Sequence, residues 1–249
     1  IVVLARMIAE AERIMVFTGA GISTHSGIPD YRGPHGVWNT RRPVFYDEFM
    51  ASDASRREYW RQKLEDREAF GTATPNEVHR AIARLEKTGK VELLVTQNID
   101  GLHRAAGSDP TRLVEIHGTA ALVECQTCGE RTDPQAHFDT FASSGSPPVC
   151  HCGGYLKPAT ISFGQSLDQL TMVRAMQAAD ACDFVIALGS TLSVYPAAEI
   201  PLRAAQRGVP YAIVNRGQTE HDRLPSVTLR VDGEVGEVFS EAVAEALAR

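Results

Sequence analysis

Two kinds of residue in this chain are spaced for chemistry. The stretch 16–33, VFTGAGISTHSGIPDYRG, leaves an apolar run for glycines, small residues and hydroxyls. Gly19 and Gly21 allow a sharp bend and let backbone approach a ligand with no Cβ in the way. Ser23, Thr24 and Ser26 add hydroxyls, and Pro29, Asp30, Tyr31 and Arg32 form a second turn. A strand that breaks into such a loop presents backbone N–H groups to a phosphate. The dinucleotide fingerprint Gly-x-Gly-x-x-Gly is incomplete, because Thr24 stands at its third glycine. Taken alone, the loop is therefore equally a tight strand-to-helix turn.

The second kind is cysteine. Cys125 and Cys128, then Cys150 and Cys152, make C-x2-C followed by C-x-C, and glycine follows each cluster at Gly129 and Gly153. Four thiolates suit tetrahedral Zn²⁺ and close the site to substrate, so the metal is expected to be structural. Buried free thiols, disulfides or a substitution by His151 are the competing readings. Cys182, at the edge of an apolar run, reads as core. Lys and Arg are scarce between Cys125 and Cys152, which argues against a nucleic-acid module.

The elements that must position these groups alternate. Apolar positions at helical spacing predict a helix over 2–12, and others are expected over 75–87, 168–180, 197–207 and from 235 onward. Short apolar strands are expected at Ile14–Phe17, Leu93–Thr96, Leu113–Ile116, Phe184–Leu188, Tyr211–Val214 and Val227–Val231. Strands alternating with helices predict an α/β fold with a parallel, doubly wound sheet. GAGIS, TQNID, EIHG, LGSTLS and VNRGQT each follow such a strand directly, and ligands bind outside the carboxyl ends of these strands. The aromatic- and arginine-rich segment 34–74 reads as a helical insertion, and 119–157 as the cysteine module.

Hydrophobic content of 43% and a net charge of −6 are those of an ordinary globular protein with no global pull toward nucleic acid or membrane. No apolar run approaches the roughly 20 residues of a membrane span. Arg6, Glu10, Glu12 and Arg13 interrupt the first apolar stretch, which therefore does not read as a signal peptide. Cysteine usage fits a reducing, cytoplasmic setting.

Read together, GAGISTHSGIPDYRG, TQNIDGLH, EIHG, the paired cysteines, GSTLSVYP and VNRGQT resemble the sirtuin family of NAD-dependent protein-lysine deacylases over nearly the whole chain. The resemblance implies a Rossmann-like large domain (1–33, 75–118 and 158–249) and a small domain combining the zinc ribbon with the 34–74 insertion. It implies NAD and Zn²⁺ as cofactors and an acyl-lysine protein or peptide as partner, and it leaves the oligomeric state open. By the same resemblance Gly19, Ala20, Gly21 and Ser23 line the pyrophosphate and ribose. Asp30, Tyr31 and Arg32 lie on a loop over the nicotinamide ribose, which Gln97, Asn98, Ile99 and Asp100 hold. Gly189, Ser190, Ser193, Asn215 and Val235 bind the adenosine half, while Ile161, Ser162 and Phe163 line the acyl-lysine tunnel.

His117 matches the family's general base, a role that suits an imidazole near neutral pH. The implied reaction releases nicotinamide and O-acyl-ADP-ribose, with Asn98 and Asp100 stabilising a cationic transition state at the ribose. ADP-ribosyl transfer to protein, or NAD hydrolysis, would use the same cleft. His25, His79 and His103 lack such a context and read as structural. Three departures from the family stand out: the C-x-C pair, Tyr31 in place of a common phenylalanine, and Tyr59-Trp60-Arg61-Gln62. The last differs from the Tyr-x-x-Arg of members that remove acidic acyl groups. REYWRQK is closer to the branch linked with lipoamide-type deacylation and ADP-ribosylation.

Overall fold

The computed structural model describes residues 1–32 and 36–249. The boundary expected between residues 33 and 34 lies outside the described residues. In chain order the elements are α1 (Val2–Glu10), β1 (Ile14–Thr18), α2 (Tyr46–Ala51), α3 (Asp53–Thr72), α4 (Glu77–Lys87) and β2 (Val91–Thr96). Next come α5 (Leu102–Ala105), β3 (Leu113–Glu115), β4 (Gly118–Cys125), β5 (Arg131–Thr132), α6 (Gln135–Ser144) and β6 (Leu156–Thr160). The chain closes with α7 (Gln169–Ala181), β7 (Phe184–Leu188), α8 (Glu199–Gln206), β8 (Tyr211–Asn215), β9 (Leu229–Asp232) and α9 (Val235–Leu247).

Six strands form one sheet in the order β3-β2-β1-β7-β8-β9, and every adjacent pair is parallel. Alternate side chains serve opposite faces. Val16, Leu94, Ile186 and Val214 pack under α1, α4 and α9, while Phe17, Val95, Val185 and Ile213 pack under α7 and α8. Burial on both faces explains why these strands read as continuous apolar runs.

Chain direction along the sheet reverses between β1 and β7, and a crevice opens there beyond the strand ends. The last strand begins two residues after the expected Val227, because Val227 still belongs to a turn whose N–H bonds Leu224 O at 3.1 Å. The fourth helix begins after Asn76 rather than at Pro75. The Asn76 carboxamide accepts the Val78 N–H at 2.9 Å and caps it.

A second sheet, β5-β4-β6, is antiparallel and was not anticipated. It packs with α2, α3 and α6 around Phe49, Tyr59, Trp60, Val123, Phe138, Phe141 and Leu156. Trp60 is fully buried and its indole N–H donates to Leu156 O at 3.0 Å. The segment between β1 and α4 and the cysteine segment thus share one core. Truncating Trp60 would cost about 3–5 kcal/mol.

Candidate functional site

The crevice is set by glycine against glycine. Gly19 N–H donates to Leu188 O at 3.0 Å and Gly21 N–H to Gly189 O at 2.9 Å. A Cβ on Gly19 or Gly21 would stand 2.7 or 2.9 Å from Gly189 O. Gly189 itself has φ of +60°, and its Cβ would lie 2.6 Å from Ile22 N. The loops after β1 and β7 therefore pack backbone to backbone, as close approach to a ligand requires.

From this contact a cavity of about 1140 Å³ runs to the second sheet. Its wall takes Gly19, Ala20 and Gly21 from the first loop, and Asp30, Tyr31 and Arg32 from the second turn. Gln97, Asn98 and Ile99 follow β2, and His117 follows β3. Gly189, Ser190, Asn215 and Val235 form one end, and Ile161, Ser162 and Phe163 the other.

Three expected residues are not on this wall. Ser23 is 1% exposed and lies beneath the loop, donating to Asp100 Oδ2 at 2.7 Å. Asp100 faces a smaller cavity of about 230 Å³ beside α3 and α6. Ser193 pairs with the Thr191 hydroxyl at 2.8 Å. Of the three, Ser23 is buried within the loop, Asp100 opens onto the second cavity and Ser193 is half-buried beside Thr191.

Asn98 links these pieces. Its Nδ2 donates to Gly19 O at 3.1 Å and to Ser23 Oγ at 3.3 Å, so its carbonyl oxygen is left toward the cavity. Gln97 Nε2 donates to Ser190 Oγ at 2.8 Å across the crevice. Asp100 holds its carboxyl above the usual carboxylate range because it is buried, despite N–H and O–H donors from Leu102 and Ser23.

His117 stands where β3 passes into β4. Gly118 makes the turn possible: its φ is +78°, and a Cβ would meet Ala159 O at 2.1 Å. His117 Nδ1 lies 3.1 Å from Gln97 O. A carbonyl can only accept, so Nδ1 carries the proton and Nε2 is the bare nitrogen. Burial lowers its pKa, the Gln97 carbonyl partly opposes this, and the Arg32 charge lowers it further. A neutral imidazole with a free lone pair is a base ready at neutral pH.

Residues to which the sequence assigns no place at the site, Trp38 and Lys63 among them, also reach the wall. Tyr31 stacks on Trp38 with centroids 4.9 Å apart, and Trp38 meets Phe163 edge-on at 5.0 Å. His25, read as structural, lines the cavity with Nε2 3.6 Å from Glu234. Tyr59, Gln62 and Lys63 line it from α3, whereas Arg61 is outside, paired with Glu58 and Glu65. Residues four apart share a helix face, which could have flagged Tyr59 with Lys63.

The four expected cysteines converge. Cys125 and Cys152 Sγ are 3.6 Å apart, Cys128 and Cys150 Sγ 3.8 Å, and all four lie within 4.8 Å of one another. Thiolates bound to zinc at about 2.3 Å stand about 3.8 Å apart at the corners of a tetrahedron. The set fits a zinc ion, and Cys182 is buried elsewhere as core. Backbone N–H groups of Cys128 and Thr127 lower the Cys125 thiol to about 6.

A model of the Sir2 family matches residues 19–196. An NAD-dependent protein deacetylase of Bradyrhizobium diazoefficiens is 42% identical over 96% of this chain and 94% of its own. An NAD-dependent protein deacylase of Archaeoglobus fulgidus is 38% identical over 97% and 94%. Among solved structures, Sir2 with p53 peptide and NAD+ superposes with a TM-score of 0.87 at 33% identity, covering 98% of this chain and 97% of that one. A Sir2 variant with deacetylated p53 peptide and acetyl-ADP-ribose gives 0.88 at 35% identity, over 97% and 96%. With glycine loops meeting at the sheet's reversal, a buried imidazole at the end of β3 and a four-thiol cluster, this chain belongs to the Sir2 family.

Proposed function

We propose that the chain is an NAD-dependent protein-lysine deacylase that releases nicotinamide and O-acyl-ADP-ribose. The observation that carries the reading is His117, whose proton is pinned on Nδ1 by Gln97 O while Nε2 is left bare beside the glycine crevice. We read residues 1–33, 75–118 and 158–249 as the cosubstrate-binding unit, and 34–74 with 119–157 as the small unit. The relatives' names and the peptide and NAD+ complexes of the family support this assignment.

Bound NAD supplies the ribose carbon that exchanges nicotinamide for the acyl oxygen, and the ribose hydroxyl that is then activated. The chain's own groups do the rest. Backbone N–H groups around Gly19, Ala20 and Gly21 serve the pyrophosphate, and Gly189, Ser190, Asn215 and Val235 the adenosine half. Asp30, Tyr31 and Arg32 cover the nicotinamide ribose, and Trp38 against Phe163 helps to exclude water. Gln97, Asn98 and Ile99 face that ribose, with the Asn98 carbonyl oxygen aimed at developing positive charge. Ser23, Asp100 and Ser193 act from behind, by holding these loops. His117 Nε2 takes the proton of a ribose hydroxyl. Ile161, Ser162 and Phe163 bracket the acyl-lysine.

Zinc, held by Cys125, Cys128, Cys150 and Cys152, supplies cohesion to the small unit and no chemistry. Arg61, the arginine nearest to the Tyr-x-x-Arg pattern, points away from the wall to Glu58 and Glu65, which favours an uncharged acyl group. Among the described residues no helix is long and apolar enough to cross a membrane. Four of the five cysteines form the zinc-type cluster, a usage that supports a reducing, cytoplasmic location.

The test is mass spectrometry of reactions with NAD and acetyl-, succinyl-, lipoyl- and long-chain acyl-lysine peptides, wild type beside His117→Ala. Acyl-ADP-ribose formed only by wild type is the expected result. Nicotinamide or ADP-ribosylated protein without any acyl-ADP-ribose would replace this reading with a transferase or NAD hydrolase.

A further inference from the structure

Behind the cavity wall two buried histidines meet. His79 on α4 and His103 on α5 are 0% and 2% exposed, with ring centroids 5.0 Å apart. Burial lowers His79 to about 4, helped by the Arg80 charge, and holds His103 well below its ordinary value, helped by His79. Both rings are therefore neutral, and each carries one N–H and one bare nitrogen.

Their partners decide which nitrogen is which. His79 Nδ1 accepts the Asn76 backbone N–H at 3.3 Å, so its proton is on Nε2. The Thr18 hydroxyl donates to Thr96 Oγ1 at 2.8 Å and stands 3.0 Å from His103 Nε2. With its own proton committed, Thr18 accepts, so His103 also carries its proton on Nε2. Thr96 Oγ1 in turn accepts the Asn98 N–H at 3.0 Å. One buried donor, His79 Nε2–H, and one buried acceptor, His103 Nδ1, are left without a partner. The opposite His103 tautomer would leave two donors and no acceptor between the rings.

The ends of this chain return to the glycine loop. Asn76 Nδ2 donates to Ile22 O at 2.7 Å and Ser26 Oγ at 2.9 Å. Asn98 Nδ2 donates to Gly19 O and Ser23 Oγ at the other end. Hydrogen bonds therefore run from the loop through Asn76 to His79 on one side, and through Asn98, Thr96 and Thr18 to His103 on the other, and the two rings face each other where the two arms end.

We propose that His79 and His103 form one directional relay, closed between His79 Nε2–H and His103 Nδ1 by one buried water, that holds Asn98 in its working orientation. Both are positioning residues: neither faces the ligand space, and both act through the Thr18–Thr96 pair. A buried polar chain that is fully satisfied fixes a geometry, and one that is broken leaves an unpaired group and a loosened site. The inference rests on the deacylase reading, because it assigns Asn98 a part in that reaction.

The test compares His103→Phe with His103→Gln, whose Nε2 amide can still donate to Thr18. Readouts are kcat and KM with NAD and an acetyl-lysine peptide, the ADP-ribose Kd, and Tm. The Phe variant is expected to lose at least about tenfold in kcat with ADP-ribose affinity changed less than about threefold. The Gln variant is expected to recover to within about threefold of wild type. Equal loss in both variants, or a loss that follows the folded fraction alone, overturns the relay. Should the Phe variant not fold, ¹⁵N NMR of wild-type imidazoles decides: both rings must be neutral Nε2–H tautomers between about pH 5.5 and 7.5. A Nδ1–H or charged His103 overturns it. A wild type that makes no acyl-ADP-ribose defeats the deacylase reading instead, and the tautomers still decide the relay.

Discussion

His117 Nδ1 faces the carbonyl oxygen of Gln97 at 3.1 Å, which leaves Nε2 as the imidazole's sole proton acceptor. Deacylation should therefore follow the neutral ring. Burial places its pKa below the ordinary histidine value, so kcat should be flat through neutrality and fall only in acid, below about pH 6.5. His117→Ala should lose at least about 100-fold in acyl-ADP-ribose formation. Rate–pH profiles of both proteins check this.

Gly189→Ala places a methyl group 2.6 Å from Ile22 N on a backbone with φ of +60°. The strain is about 1–3 kcal/mol, and relief requires the two loops to part. ADP-ribose affinity by calorimetry should fall at least about tenfold. An unchanged Kd would show that the loop contact does not shape the nucleotide end.

Metal analysis should find one zinc per chain, lost on Cys150→Ser. Because Cys125 and Cys150 belong to the core that also contains Trp60 and Phe49, zinc removal should loosen α2 and α3 as well as the cysteine segment. Hydrogen exchange should speed up in 46–72 and 118–160 while β1, β7 and β8 stay protected. Exchange confined to the cysteine segment would contradict the shared core.

Stability should fall in mild acid. His79 and His221 have folded pKa values lowered to about 4 by burial. The unfolded chain binds more protons than the folded one between about pH 6.5 and about 4, so stability is complete above that window and is lost as pH falls through it. Each site contributes on the order of 3 kcal/mol when fully expressed. Urea midpoints at about pH 7.5 and 5.0 measure the loss, and His221→Gln should shrink it.

Asp100 should act by support. Asp100→Asn keeps a single carbonyl oxygen for the two donors that Oδ1 and Oδ2 now accept, Leu102 N–H at 2.9 Å and the Ser23 hydroxyl at 2.7 Å. Activity should fall less in the Asn variant than in Asp100→Ala. Equal losses would mean that the carboxylate charge itself is needed.

Much of this arrangement was legible because strand ends and glycines mark the site directly. The loops 19–21, 97–99 and 189–190 follow buried apolar runs, and parallel packing brings all of them to one edge. The cysteines declare themselves by spacing. Motif position places Ser23, Asp100 and Ser193 in the loops but carries no side-chain direction, and their partners inside those loops emerge only from the structure. The second sheet was illegible, since β4 is only partly buried and β5 is two residues long. The pairing of His79 with His103 depends on α4 and α5 meeting, which no local pattern encodes. Val227 looked like strand because it is apolar and β-branched, yet the ladder begins at Leu229.

The sheet order also has a bearing on synthesis. β1 pairs with β2 on one side and with β7 on the other, Ile14 opposite Phe184. A growing chain can assemble β1, β2 and β3 early, but the second edge of β1 stays open until β7 has left the ribosome. Gly189, which closes the crevice against Gly21, emerges one residue after that strand ends. The glycine end of the cavity therefore comes into being late, and until then an incomplete chain holds an exposed β1 edge beside it.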